Sequence, residues 1–398
     1  MCLNKVRCNS NENNGIVPII FNIDGSALED VKWKNQLQDK LKLINAPLLV
    51  FSIISLFTSG FKDVFVFIQE SEEKSIEYYE SFIFSKNCIQ SGKQIIHWVT
   101  IPNSEIETSI IHNLHQIQHV QCEAYLILPN DIFITGEINS FIDNYIAHRS
   151  DFHILTTSNA SIQSLMKKVD PKDFISLFVS KDGAILSLYN GFDVQSDKDA
   201  YACKLNLYNT GVFILKRNTL TDCLFDKTIK IHKNNILKLM LSIKKRKTTE
   251  SKMYHNSSNF QDSVDTSVHC RYFDTDEFNV RCNNLINILE CNKRALNNLS
   301  KLENSPIITA KGIKKSLIEN NFTANSDKKN KIIIIESSIG KNCILTGNIK
   351  IVNSIICDNV EITSNSKITN CYVHENSKIT QDVDLQTHIY HCQKAKKK

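Results

Sequence analysis

The chain has 398 residues, room for two or three domains, and 42% of them are apolar, enough for a proper core. Its 47 Lys and Arg nearly balance 42 Asp and Glu, so the net charge of +5 is too small to imply a nucleic-acid-binding face. The thirteen cysteines contain no C-x-x-C pair, which argues against a zinc module or a disulfide scaffold and for free thiols in a reducing cytosol. No signal segment is expected in the polar stretch 1–14, and no run of about 20 apolar residues suggests a membrane span.

Residues 16–23 read as a buried strand, followed by Asp24-Gly25-Ser26. Pro47 opens a helix over 48–59 that Gly60 ends. A second apolar strand covers 64–68, a helix 72–84, a strand 94–99, a helix 105–119 and another buried strand 125–128. A helix at 137–148 and a strand at 152–156 continue the alternation, which implies an α/β domain with a mostly parallel sheet. Strands at 174–179 and 184–188 flank the turn signal Lys181-Asp182-Gly183, and 212–215 forms a late strand. Residues 244–268 are basic, then polar, and read as a mobile insert; 278–299 reads as one helix. The expected division is a flexible N-terminus (1–15), an α/β domain (16–300), a linker (301–331), a repeat domain (332–388) and a basic tail (389–398).

The repeat domain has the most distinctive pattern. Ile339, Leu345 and Ile351 are followed seventeen residues on by Ile356, Ile362 and Ile368, and again by Val373, Ile379 and Leu385. Steps of six within each trio and five between trios fit no helix and no free strand. They fit one short strand plus a turn per side of a triangular coil, with the aliphatics stacked inward and Asn, Asp, Ser and Thr at the corners. Three coils are expected, which is near the minimum for stability and implies support from elsewhere. The alternative is an antiparallel meander of short strands.

Four stretches in order resemble the sugar-nucleotide pyrophosphorylase family: 43–49 with 60–66, Leu126-Ile127-Leu128-Pro129-Asn130-Asp131, 179–186, and Asn209-Thr210-Gly211-Val212-Phe213. The resemblance implies a nucleotidyltransferase-like, Rossmann-type domain followed by a short left-handed parallel β-helix of hexapeptide repeats. It also implies a relic nucleotide pocket at Asp24, Gly25, Asp131, Asn209 and Gly211. The catalytic parts of that family are not matched. The loop after the first strand, Asp24-Gly25-Ser26-Ala27-Leu28-Glu29-Asp30, has one Gly, no Arg and three carboxylates where phosphates would sit. The stretch 187–193 lacks the family's E-K-P, and Asp131 is left as a lone candidate Mg²⁺ ligand, a poor site for in-line phosphate chemistry. No catalytic, cofactor or metal residues are therefore expected. His112, His115 and His119 read as a polar helix face, and His374 as a corner residue.

The resemblance narrows at Phe278-Asn279-Val280-Arg281-Cys282-Asn283-Asn284-Leu285, continued by Glu290-Cys291-Asn292-Lys293. These residues are similar to the F-x-x-R-x-N-x-L…E-x-N-[KR] segment of the gamma subunits of eukaryotic translation initiation factor 2B. The epsilon subunits of that factor carry a further catalytic helical domain, which is not expected after Lys398. The resemblance implies a cytosolic, non-catalytic subunit of the guanine-nucleotide exchange factor for initiation factor 2. Its implied partners are an epsilon subunit, then the alpha, beta and delta subunits and initiation factor 2 itself, with no nucleic acid and no membrane. Two alternatives stay open, a sugar-nucleotide pyrophosphorylase such as a mannose-1-phosphate guanylyltransferase, and an inactive regulatory paralogue of one. Asn209-Thr210-Gly211, closer to the active enzymes, is what keeps them open.

Overall fold

The computed structural model describes residues 15–22, 42–44, 46–85, 94–102, 114–117, 119–135, 138–158, 162, 174–190, 200–219, 269–299, 307–310, 312–325 and 331–390. The Asp24-Gly25 loop and the 244–268 insert lie outside them. The described residues fall into two units, one drawn from 1–24 and 49–280, the other from 25–48 and 281–398. Both differ from the expected boundary at residue 300, because two distant segments pack with the repeat domain.

The first unit is mixed α/β, built on a nine-stranded sheet. Its strands are β1 (Ile16–Asn22), β4 (Asp63–Gln69), β5 (Ile95–Ile101), β6 (Ala124–Pro129), β8 (Phe152–Thr157), β9 (Phe174–Val179), β10 (Ile185–Asn190), β11 (Ala202–Lys216) and β12 (Cys270–Thr275). The path is β10-β9-β11-β6-β1-β4-β5, with β8 between β11 and β12. β1 pairs in parallel with both β4 and β6, whereas β11 runs antiparallel to β6, β8 and β9. Successive side chains of a strand face opposite sides, so both faces must be covered where the strand is apolar throughout. Ile16, Ile20, Val64, Val66 and Leu126 meet the helices α1 (Leu48–Thr58), α2 (Ile76–Ser85) and α3 (Ile138–His148). Val17, Ile19, Phe65, Phe67 and Ile127 form a second core on the other face.

Local chemistry explains the element ends. Gly60 takes φ +91°, and Phe61 N–H donates to the Leu56 carbonyl (3.3 Å), closing α1 as a left-handed cap. Gly183, at φ +82°, closes the β9–β10 hairpin, and Ala184 N–H donates to Ser180 Oγ at 3.0 Å. Several expectations are corrected. The helix at 72–84 is a 3₁₀ turn over Glu70–Ser75 followed by α2. Of the helix at 105–119 only a 3₁₀ turn at Leu114–Ile117 is described. The late strand at 212–215 is the end of the fifteen-residue β11, and β12 has no counterpart in the sequence reading.

The second unit holds a curled, all-parallel, β-helix-like sheet. Its first side stacks the start of β15 (Ile313–Ile318), β17 (Ile332–Ile335), β20 (Ile349–Val352), β23 (Ser366–Thr369) and β26 (Val383–Gln386). The second side stacks the end of β15, β18 (Ser338–Ile339), β21 (Ile355–Ile356), β24 (Tyr372–Val373) and β27 (Ile389–Tyr390). The third stacks β16 (Thr323–Asn325), β19 (Ile344–Thr346), β22 (Glu361–Ile362) and β25 (Lys378–Ile379). Parallel partners seventeen residues apart, such as Leu345↔Ile362, exclude the antiparallel meander. The stack exceeds three coils, since strands occupy the expected linker 301–331. There the step is twenty-one residues (Leu317↔Ser338), because the connection between β16 and β17 is longer, and this breaks the sequence period. β14 (Ile307–Ala310) lies antiparallel on β15 at that end.

Corner residues account for the composition. Glu336, Asn353, Asn370 and Thr387 have φ between +45° and +54°, as do Asn342, Asn359 and Asn376 between +55° and +60°. Asn tolerates this left-handed region better than most residues. Its amide also joins successive coils, with Asn342 Nδ2 donating to Asn359 Oδ1 (3.0 Å) and Asn359 Nδ2 to Asn376 Oδ1 (3.2 Å). A buried hydroxyl column runs beside the other corner, that of Glu336, Asn353 and Asn370, with Ser354 N–H donating to Ser337 Oγ (3.1 Å) and Cys371 N–H to Ser354 Oγ (3.0 Å).

Candidate functional site

The carboxyl ends of the parallel strands are where ligands usually bind in open α/β sheets. β6 leads there into Asn130 and Asp131, and Asp131 is buried. β11 runs antiparallel past the same edge, which brings Asn209 and Gly211 to it. The N-x-G stretch is a bulge, with Gly211 at φ +74° and a register shift between Asn209 and Phe213. Asn209 Oδ1 accepts from Gly211 N–H (3.1 Å), and Thr210 Oγ1 donates to the Leu155 carbonyl (2.7 Å). These polar atoms hold the bulge itself. The structure thus brings Asp131, Asn209 and Gly211 to one edge; Asp24 and Gly25 lie outside the described residues.

β12 and the residue just after it add two carboxylates that the sequence pattern did not flag, Asp274 and Asp276. Asp274 Oδ1 accepts from Thr156 Oγ1 (3.3 Å), and Asp276 Oδ1 from Ser158 Oγ (2.7 Å). Burial, with Asp276 adding repulsion, pushes the Asp274 carboxyl above its ordinary range. The run Cys-Arg-Tyr-Phe-Asp-Thr was the available signal, blurred by Arg271 and Asp274 within it. Among the described residues no three His, Cys, Asp or Glu side chains are grouped to hold a metal ion. His119 is exposed; His374 is buried at a coil corner, its Nδ1 3.3 Å from the Glu375 carbonyl.

The residues that carry the narrower resemblance have structural work in each unit. In the first, Phe278, Asn279 and Val280 are buried. Asn279 Oδ1 accepts from Thr135 N–H (3.2 Å), and its carbonyl from Thr157 Oγ1 (3.0 Å), tying the segments after β7 (Ile132–Ile134) and at the end of β8. The expected helix 278–299 therefore begins as β13 (Asn279–Arg281), and α4 starts only at Leu285 (Leu285–Leu299). Asn284 Oδ1 accepts from Asn287 N–H (2.9 Å) and caps it.

In the second unit α4 and residues 42–48 serve the second side of the coil. The outward row of that side is Ser338, Ile355 and Tyr372, and all three are buried. Asn292 Oδ1 accepts from both Ser338 Oγ (3.1 Å) and Ile44 N–H (3.0 Å). Lys293 Nζ pairs with Glu336 at 3.2 Å. Lys42, with a side chain only 2% exposed, places Nζ 2.6 Å from Asp358 Oδ2 and 3.7 Å from Glu375 Oε2. Its own N–H donates to Tyr372 Oη at 3.1 Å. Burial pushes the neighbouring Cys357 thiol up to about 12. The Lys42–Asp358 pair joins residues 316 apart and was invisible in the sequence.

The nine residues expected inside the coil all face inward. Ile339, Leu345, Ile351, Ile356, Ile362, Ile368, Val373 and Ile379 are buried together, and Leu385 packs on them partly buried in the last coil. No family model matches the chain, and no curated protein matches it.

Proposed function

We propose that the chain is a non-catalytic subunit of the guanine-nucleotide exchange factor for initiation factor 2, of the gamma kind. In this reading the α/β unit is a nucleotidyltransferase-like domain without phosphate chemistry, and the β-helix is left-handed. It works in the cytosol beside an epsilon subunit, and the pair joins the alpha, beta and delta subunits. The observation that carries the reading is the Phe278–Lys293 segment, whose asparagines are spent on packing: Asn279 inside the α/β unit, Asn292 on the coil. A segment built to serve both domains fits a scaffold, in which their integrity is the function. Co-expression with an epsilon-type subunit should give a stable heterodimer by size-exclusion chromatography, and GDP release from initiation factor 2 should require the pair. A monomer that ignores the epsilon subunit refutes the reading.

The second reading, a sugar-nucleotide pyrophosphorylase or its inactive paralogue, draws on the carboxylates Asp131, Asp274 and Asp276. Exchange of pyrophosphate into GTP or UTP with a hexose 1-phosphate and Mg²⁺, lost on Asp131→Ala, would favour the active enzyme over the scaffold.

A further inference from the structure

Two short strands, β2 (Lys42–Leu43) and β3 (Ala46–Pro47), pair antiparallel, and Lys42 ties them to the second side of the coil. They are held there by features that pull in opposite directions. Leu43 and Ala46 are buried, and Lys42 is paired with Asp358. Against this, Ile44 sits at φ +42°, where a β-branched residue is strained by contact between Cβ and its own backbone. The Lys42 ammonium has been taken out of water, a cost its attraction to Asp358 must offset. Asn292, whose Oδ1 receives the Ile44 N–H, leaves its buried Nδ2 without an acceptor. A strained tip, a dehydrated charge and an orphan amide at one short contact lower the free energy of opening that contact relative to unfolding the coil beneath it.

We propose that the β2–β3 pair is a releasable strap, latched by Lys42 in the notch between Asp358 and Glu375, and that its release uncovers Tyr372 while the coil stays folded. The notch is well matched to a cation. Asp358 and Glu375 lie one coil apart at the same corner, seventeen residues apart in sequence, and both carboxylates face the ammonium. Asp358 is positioned independently of the strap, since its Oδ1 accepts from Lys341 N–H at 2.9 Å. The latch can therefore open and re-form on a fixed receptor. This inference stands on the second unit alone and does not depend on the partner of the whole chain.

Cysteines report the opening. Cys357 lies outside the coil interior beside the latch, whereas Cys343 and Cys371 belong to the interior core. The full-length protein would be alkylated with iodoacetamide in increasing urea and the modified sites read by mass spectrometry. Cys357 should react at least tenfold faster than Cys343 and Cys371, with a weaker urea dependence. Lys42→Met should accelerate Cys357 by a further tenfold and leave the two interior cysteines unchanged, whereas Lys42→Arg, which keeps the cation, should not. Two results would overturn the proposal: three cysteines that react in step, which means the strap opens only with the coil, or a Cys357 rate unmoved by Lys42→Met.

Discussion

Ile362 offers the sharpest check on how the coil is held together. It is fully buried on the third side, stacked between Leu345 and Ile379. Shortening it to Ala removes the transfer free energy of the lost carbons and leaves a cavity, together about 2–5 kcal/mol at a core position. The upper half of that range applies here, because the neighbours cannot close in. The ladder bonds Ile344 N–H to the Val360 carbonyl (2.9 Å) and Thr363 N–H to the Ile379 carbonyl (3.0 Å) keep adjacent coils at strand spacing. Ile362→Asp goes further by burying an unpaired carboxylate, a loss on the order of 3–5 kcal/mol. Lys367 is the control. It is exposed and pairs with Asp384 at 3.2 Å, so Lys367→Asp should cost less than about 1 kcal/mol. Hydrogen exchange by mass spectrometry over peptides covering 344–379 reads these losses locally. At a tenfold change per 1.4 kcal/mol, Ile362→Ala should lower amide protection by about three orders of magnitude, and Lys367→Asp by less than one. Equal protection in the Ile362→Ala and Lys367→Asp proteins would mean that the inward columns do not support the coil.

Three further outcomes separate backbone, packing and charge. Asn359→Gly and Asn359→Ala both lose two ladder bonds, but only Ala adds a left-handed strain of about 1 kcal/mol, so Ala should melt at the lower temperature, and the reverse order would refute the corner account. A Cβ at Gly340 would sit 2.7 Å from Asp358 N and from the Cys357 carbonyl carbon, so Gly340→Ala should destabilise the coil by more than about 1 kcal/mol in urea melts. Buried His153 is held neutral, its pKa lowered to about 3 chiefly by desolvation. The unfolded chain then binds the extra proton, so stability should fall as pH drops from about 6.5 toward 3, and His153→Gln should flatten that slope in parallel melts.

The coil was legible because its signal is local and repeated. Each inward position is aliphatic and each left-handed corner favours Asn, so three sides and a seventeen-residue step could be read directly. The first coil was not legible, since a longer connection between β16 and β17 throws Ile313, Ile318 and Phe322 out of phase. The sheet of the first unit was read from its doubly buried strands, but β12 was missed because Arg271 and Asp274 interrupt its apolar pattern. Arg271 is there to reach across to the β9–β10 turn, where it donates to the Asp182 carbonyl at 2.7 Å. The helix beginning at 278 was misplaced because Phe278 and Val280 suit a helix face as well as a strand. Asn284 as a cap decides the matter, and the adjacent Asn283 in the sequence blurs it. Residues 42–48 were read as the approach to a helix, and nothing in their sequence points to Asp358 or Asn292. Long-range polar pairs leave no periodic trace.

The three sides of the coil constrain where any partner can bind. The second side is covered by the chain's own β2, β3 and α4, so its outward row is not available while these stay in place. The first side presents Lys350, Lys367 and Asp384, and the third presents Ile344, Glu361 and Lys378. Four of these charges are already paired along the rows, Lys367 with Asp384 and Lys378 with Glu361 at 2.7 Å. Exposed pairs of this kind contribute little, and a partner would have to break them to use them. Among the described residues apolar side chains stay partly covered at both ends of the stack, Ile313, Ile318, Phe322 and Ile332 at the first and Val383, Leu385 and Tyr390 at the last, and β14 lies along the first end. Affinity for a protein partner rests mainly on such apolar anchors, with charged rims tuning the rate of encounter. In the proposed pairing, then, the last coil should supply the stack's share of the binding energy and the flat sides the selectivity. Leu385→Ala should weaken pairing through faster dissociation, whereas 0.5 M salt should mainly slow association.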